Sequence, residues 1–141
     1  MWKRSPALRV LVVDDEPLIR WSLLETLAGL DYSVVEAADA SSAMQAVAAA
    51  AEPFDVALLD FRLPDSNDLT LLADLRRIAP GMQIIFMTAF GTPEILQEAL
   101  DLGAYCVIKK PFEMEDVAPL VTRACAARLE AARPDFPPSA G

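Results

Sequence analysis

Asp55-Val56-Ala57-Leu58-Leu59-Asp60 is a short apolar run that stops abruptly on a carboxylate, with Pro53 before it and Pro64 after it. A run of this length and composition reads as a strand buried on both faces. Asp60 then stands at the carboxyl end of that strand. A carboxylate there is costly unless a partner neutralises it or it is placed to react. Taken alone, the stretch leaves a capping or loop aspartate open, so the neighbouring segments decide.

The chain alternates two periods on either side of this run. Arg9 to Val13 is an apolar strand that ends in Asp14-Asp15-Glu16, and Pro17 opens a helix as a first-turn residue. Ile19, Leu23, Leu27 and Leu30 form the apolar face expected for that helix. Tyr32 to Ala37 reads as a second strand, and Asp39 or Ser41 as the cap of a helix running through Met44 and Val47 to about Ala51. After Asp60, the loop from Arg62 to Asp68 leads into a helix with Leu69, Leu72, Leu75 and Ile78 on its inner side, stopped by Pro80-Gly81. Gln83 to Thr88 is the fourth strand. Thr92 caps the next helix with Pro93 at its first position, and Gly103 ends it. Tyr105 to Lys109 is the fifth strand, and a last helix after Pro111 reaches about Ala132. Residues 1–132 make one domain, and 133–141 a flexible tail or linker.

Five strand–helix units in series predict an α/β fold, a flavodoxin-like (βα)5 three-layer sandwich. Its parallel sheet would be covered on both faces by right-handed crossovers. In the order 2-1-3-4-5, ligands sit outside the carboxyl ends of the strands where the order reverses, between strands one and three. Those two ends carry Asp14, Asp15 and Asp60, while strand four ends in Thr88 and strand five leads to Lys110. The chemically pointed residues therefore collect at one rim.

Composition narrows what that rim can do. The chain has 141 residues, 54% of them hydrophobic, which suits one domain with a real core. No apolar run approaches the roughly 18 residues of a membrane span, and Met1-Trp2-Lys3-Arg4-Ser5-Pro6 is not followed by a signal-type apolar segment. A cytoplasmic location is expected. Twelve Lys and Arg against 21 Asp and Glu give a net charge of −9, which disfavours direct nucleic-acid binding. Cys106 and Cys125 have no disulfide or zinc-ligand pattern, and read as core or helix-face thiols. There is no histidine, so histidine triads, histidine metal sites and a phosphohistidine on this chain are excluded.

Carboxylates, hydroxyls and lysine remain. Three clustered carboxylates repel unless a cation intervenes, and hard oxygen ligands suit Mg²⁺. A carboxylate can also attack phosphorus to give an aspartyl phosphate, provided the transferring group's charge is neutralised. The Lys110 ammonium, expected at the exposed rim, and the Thr88 hydroxyl can reach the remaining oxygens.

Leu11-Val12-Val13-Asp14-Asp15-Glu16, the strand-terminal Asp60 with Pro64, Met87-Thr88-Ala89 and Lys110-Pro111-Phe112 resemble the receiver domain of two-component response regulators. The resemblance runs from about Arg9 to about Arg128, with spacings of 45, 28 and 22 residues between Asp15, Asp60, Thr88 and Lys110. Arg20-Trp21-Ser22-Leu23, Thr88 to Thr92 and Gly103-Ala104-Tyr105 are most similar to receivers attached to enhancer-binding transcription activators. The resemblance implies that Asp60 accepts phosphate from a histidine kinase or phosphotransfer protein. It implies that Asp15, Asp60 and the backbone carbonyl of Arg62 bind Mg²⁺, with Asp14 helping through water. Lys110 would contact the phosphoryl group, Thr88 would move toward it as the switch, and the Lys110-Pro111 bond would be cis. A downstream protein partner would read the fourth helix, fifth strand and fifth helix, and a homodimer stays open. No enzymatic turnover is expected beyond the domain's own phosphorylation and dephosphorylation.

Three positions depart from the family pattern. Val107 replaces the usual aromatic coupled to the threonine, with Tyr105 expected on the same strand face. Asp68 replaces a common glycine and would add negative charge near the site. Pro119 falls in the last helix, which should therefore start late, with Asp116 as cap and Val117 first. Two alternatives stay open: a receiver-like interaction scaffold independent of phosphorylation, and a haloacid-dehalogenase-type phosphatase. The second is disfavoured because Asp14-Asp15 are adjacent rather than Asp-x-Asp, and the chain is too short for a cap domain.

Overall fold

The computed structural model of the protein describes residues 7–89 and 91–131. The expected tail, the first six residues and Phe90 lie outside the described residues. Among the described residues, five strands and five helices alternate: β1 (Arg9–Val13), α1 (Pro17–Ala28), β2 (Ser33–Ala37), α2 (Ala40–Ala49), β3 (Val56–Asp60), α3 (Thr70–Ile78), β4 (Gln83–Thr88), α4 (Pro93–Asp101), β5 (Cys106–Lys109) and α5 (Met114–Ala131). The strands form one sheet of order β2-β1-β3-β4-β5, every pair parallel. This is the expected architecture.

The period of two divides the sheet's side chains between two cores. Leu11, Val13, Ala57, Leu59, Ile84 and Phe86 point to one face and pack with Ala43, Leu71, Leu72, Leu75 and Ala99 of α2, α3 and α4. Val10, Val12, Val56, Leu58, Ile85 and Met87 point to the other and pack with Leu23 and Leu27 of α1 and with Val117, Val121, Ala124 and Cys125 of α5. All five residues of β3 are buried, as its unbroken apolar run requires of a central parallel strand. Both cysteines are free, Cys125 in the core and Cys106 half-buried against it.

Local signals set most boundaries. Pro17 is at the first position of α1, Asp39 caps α2 by accepting from the Ser42 N–H, and Thr92 caps α4 by accepting from the Ile95 N–H. Ser41 has no part in that capping, and α2 stops at Ala49 rather than Ala51.

Four readings change. Leu30 is 48% exposed because α1 ends at Ala28, and the chain turns through Asp31 at φ 68° instead of carrying the helical stripe onward. Ile78, in the last turn of α3, is exposed, while Leu71 joins the core and Ala79 packs against it. Tyr105 and Val107 do not share a face: Tyr105 packs on the α1/α5 side and Val107 on the other, because Tyr105 precedes the regular strand. The last helix starts at Met114, not Val117. The Asp116 N–H donates to the Glu113 carbonyl at 2.9 Å and its carboxylate accepts from the Glu113 N–H at 3.4 Å, so the first turn closes early. Pro119 lies inside α5 on its exposed side, where water can satisfy the carbonyl it leaves free.

One turn depends on glycine. Gly103 has φ +107°, and a Cβ there would lie 2.7 Å from Arg76 Nε. Arg76 is not free to retreat, because its Nη1 donates to the carbonyls of Pro80 at 2.9 Å and Met82 at 2.8 Å. Gly103→Ala is therefore expected to lower stability by about 1–3 kcal/mol. Urea unfolding should show a lower midpoint with an unchanged slope; an unchanged midpoint would mean that neither the backbone angle nor Arg76 constrains the turn.

Candidate functional site

The sheet register makes the site. Val13 pairs with Leu59 and Asp60 pairs with Met87, so Asp14 and Asp60 leave adjacent strands side by side at the carboxyl rim. Asp14 is wholly buried, Asp60 is 6% exposed, and Asp15 is open to solvent. A carboxylate oxygen from each lies within 4.8 Å of the others. Their donor set is all hard oxygen, which fits a divalent cation such as Mg²⁺ or Ca²⁺.

Lys110 reaches into this cluster from the end of β5. Its N–H donates to the Thr88 carbonyl at 2.9 Å, and the Lys110-Pro111 bond is cis, as expected. Nζ lies 2.8 Å from Asp14 Oδ2, 3.2 Å from Asp60 Oδ2 and 3.3 Å from Glu16 Oε1. The side chain is only 10% exposed, so Lys110 is a largely buried ion-pair partner rather than the exposed rim cation expected. Burial alone would push its ammonium down; the carboxylates of Asp14 and Asp60 outweigh that and hold its pKa above the ordinary lysine value.

Asp60 has the opposite balance. Burial first, and then the Asp14 charge, raise its pKa to about 6, against the pull of Lys110 and a backbone hydrogen bond from Arg62. Asp14 takes the shorter bond to the ammonium, which leaves Asp60 the less compensated carboxylate. A cleft of about 270 Å³, lined by Asp15, Glu16, Asp60, Phe61, Arg62, Ala89 and Lys110, opens over it. A small anion can reach the carboxylate from solvent.

Thr88 is buried at the end of β4, beside the cleft residue Ala89. Gly91, further along, lies close to it. A Cβ on Gly91 would lie 3.0 Å from Thr88 Cγ2 and 2.5 Å from Leu96 Cδ2, so the Gly91 backbone is wedged between the threonine methyl and α4. Val107 stands opposite Phe86 in the register, and Phe86 meets Phe61 edge to face at a centroid distance of 5.6 Å.

All five expected side chains thus converge with Arg62 on one cleft or its wall, but Asp68 does not. It accepts from the Thr70 N–H at 2.9 Å and serves the start of α3 instead, which also lowers its pKa. Three supporting residues had no expected role. Arg20 donates to the Asp14 carbonyl at 2.7 Å and pairs with Glu36 at 3.1 Å, which braces the turn carrying the acidic pair. Asp65 accepts from the N–H groups of Ala40 at 2.8 Å and Ser41 at 3.0 Å, tying the loop after Asp60 to the start of α2. Glu16 adds a third carboxylate to Lys110. Its place beside Asp14-Asp15 was the one available signal; nothing in the linear sequence joins Arg20 to Glu36 or Asp65 to α2.

Comparison with known proteins agrees with this geometry. The family model of the response regulator receiver domain matches residues 10–122. DNA-binding transcriptional regulator NtrC of Escherichia coli (strain K12) is 32% identical over 125 residues, 89% of this chain and 26% of the regulator. The chain therefore spans about a quarter of that relative's length. Sporulation initiation phosphotransferase F of Bacillus subtilis (strain 168) is 30% identical over 115 residues, 82% of this chain and 91% of that protein. The crystal structure of a CheY-like response regulator receiver domain protein from Methanospirillum hungatei JF-1 superposes with a TM-score of 0.84 at 28% identity, covering 90% of this chain and all of that one.

The raised pKa of Asp60 has a consequence for stability. Its folded value of about 6 exceeds the ordinary 3.8, so the ionised carboxylate destabilises the metal-free fold above pH 6, and the cost fades as pH falls toward 4. Its size is on the order of 3 kcal/mol. In a chelator, Asp60→Asn should melt higher than the wild type at about pH 7.5, and the gap should close toward about pH 4. A gap of the same size at both ends of that range would place the effect elsewhere.

Proposed function

The chain belongs to the response regulator receiver domain family of two-component signalling, and on that premise we propose that Asp60 is its phosphoacceptor. One observation carries the reading: Asp60 is buried, poorly compensated and reachable through a cleft that also holds an ammonium and two further carboxylates. A phosphohistidine on a kinase or phosphotransfer protein would be the donor. The Asp60 carboxylate forms a P–O bond as the P–N bond breaks, and the electron pair of that bond returns to the imidazole nitrogen. Lys110, already 3.2 Å from Asp60 Oδ2, would neutralise charge on the transferring group. Water later cleaves the acyl phosphate and resets the site, so this is a signalling domain and not an enzyme with a separate substrate.

Asp15, Asp60 and the Arg62 backbone carbonyl would hold Mg²⁺, with Asp14 assisting through water. When bound, the ion supplies charge neutralisation at the phosphoryl oxygens. Residues 1–132 would act as the receiver unit and 133–141 as a linker or tail. The cytoplasm is the proposed location; no helix among the described residues is long and apolar enough to cross a membrane. Output would pass to a protein partner through α4, β5 and α5, without direct contact to nucleic acid, and a homodimer is compatible with this. The scaffold alternative gains nothing from a site whose acceptor, acids and lysine are all present.

The switch should run through the β4–α4 loop. With Val107 in place of a large ring, no aromatic flip can relay movement of Thr88, whereas Gly91 lies so close to Thr88 and Leu96 that a Cβ there would meet both. Amide chemical shifts with and without a phosphoryl mimic should change most from Thr88 to Leu96 and less from Tyr105 to Ile108. Larger changes in β5 would overturn this route.

Two further outcomes test the site. Incubation with Mg²⁺ and acetyl phosphate should add the mass of one phosphoryl group, and Asp60→Asn should abolish the addition; retention of that mass in the variant would refute the assignment. Mg²⁺ should also raise the melting temperature, since a hundredfold excess over Kd adds about 2.7 kcal/mol of stability. Asp15→Ala should lose most of the rise, and equal shifts in both proteins would put the ion elsewhere.

A further inference from the structure

Glu16 occupies the N-cap position of α1, yet its side chain makes no capping hydrogen bond. A carboxylate at that position ordinarily accepts from the first turn's N–H groups. Here the backbone is fixed instead by its own N–H, which donates to Asp14 Oδ1 at 2.8 Å, and the side chain swings to Lys110 Nζ at 3.3 Å. Glu16 is 59% exposed and lines both the Asp60 cleft and an adjoining hollow of about 390 Å³ bounded by Ile19, Phe112 and Met114. It therefore stands at the mouth through which a donor must pass.

A lysine ammonium has three N–H donors. Nζ donates one to Asp14 and one to Glu16 and pairs with Asp60 at 3.2 Å, so the N–H held by Glu16 is not open to an arriving phosphoryl oxygen. Asp14 and Asp60 are buried and close, whereas Glu16 gives the longest and most solvated of the three contacts. It is the partner that yields. We propose that Glu16 is a positioning residue that acts through Lys110, retaining one ammonium N–H at the cleft mouth and so weakening capture of anionic phosphodonors. The inference rests on Asp60 being the phosphoacceptor and adds a regulator of that same site. A pair with one solvent-exposed partner is worth a few-fold in an equilibrium. Because it acts on the donor's entry, it should appear in half-saturation more than in the maximal rate.

The test is a double-mutant cycle on the full chain with Mg²⁺ and acetyl phosphate, read by intact mass over time. Glu16→Gln keeps length and removes charge; it should lower the half-saturating acetyl phosphate concentration about threefold while changing the maximal rate less than about twofold. In a Lys110→Met background the same substitution should have no effect on half-saturation. No change from Glu16→Gln alone would overturn the proposal. An undiminished change in Lys110→Met would overturn it too, since Glu16 would then act by bulk charge. A second readout needs neither phosphorylation nor a Lys110 variant. The Lys110 Nζ resonance of ¹⁵N-lysine-labelled protein should shift in Glu16→Gln but not in Glu94→Gln, an equal charge change on α4. Absence of that difference would sink the proposal, whereas phosphorylation of Asp60→Asn at the wild-type level would sink only the acceptor assignment.

Discussion

Three carboxylates and one ammonium share a small volume at the carboxyl rim of a parallel sheet, and their charges do not balance. Lys110 compensates Asp14 more closely than Asp60, and burial strengthens whatever remains uncompensated. The residual charge makes Asp60 expensive to keep ionised and the site receptive to a cation. The same imbalance is useful chemically, because a carboxylate short of stabilisation gains from a reaction that brings positive partners around a new anionic group. The fold tolerates this cost because the rest of β3 is entirely apolar and buried.

The surrounding structure serves to hold that rim in register. Parallel pairing sets the ends of β1 and β3 next to one another, and the Lys110 N–H bonded to the Thr88 carbonyl extends the order across β4 to β5. Arg20 braces the acidic turn from α1, and Asp65 anchors the loop after Asp60 to α2. On the far side, a side chain at Gly91 would meet both Thr88 and Leu96, so the segment leading to α4 passes close to the threonine. Where a large ring would sit on β5 there is Val107, packed against the core with Phe86 opposite it. A signal leaving along the loop needs no ring in that place.

Much of this was readable in the linear sequence, for physical reasons that also explain the failures. Buried parallel strands are continuous apolar runs, so β1 and β4 matched their expected limits residue for residue, and β3 ended on Asp60 as its composition required. Thr92-Pro93 and Gly103 marked both ends of α4 through backbone requirements that act locally. Periodicity misled at helix ends: Leu30 lies beyond α1 and Ile78 is the last residue of α3, so each continues an apolar stripe on paper where the chain is about to turn or has turned. Pro119 was expected to delay α5, and the Glu113–Asp116 pairing with an exposed solvent face let the helix run through it. Long-range partners were invisible for a different reason. Arg20 and Glu36 meet only because β2 lies beside β1, and Glu16 finds Lys110 across 94 residues.

The central claim is that Asp60, and neither Asp14 nor Asp15, carries the acyl phosphate. Borohydride reduction of protein treated with Mg²⁺ and acetyl phosphate converts a phosphorylated aspartate to homoserine, which peptide mass spectrometry can locate. Homoserine at residue 60 alone is the predicted result. Homoserine at residue 14 or 15, or an intact aspartate at residue 60 in protein that has taken up phosphate, would contradict the account.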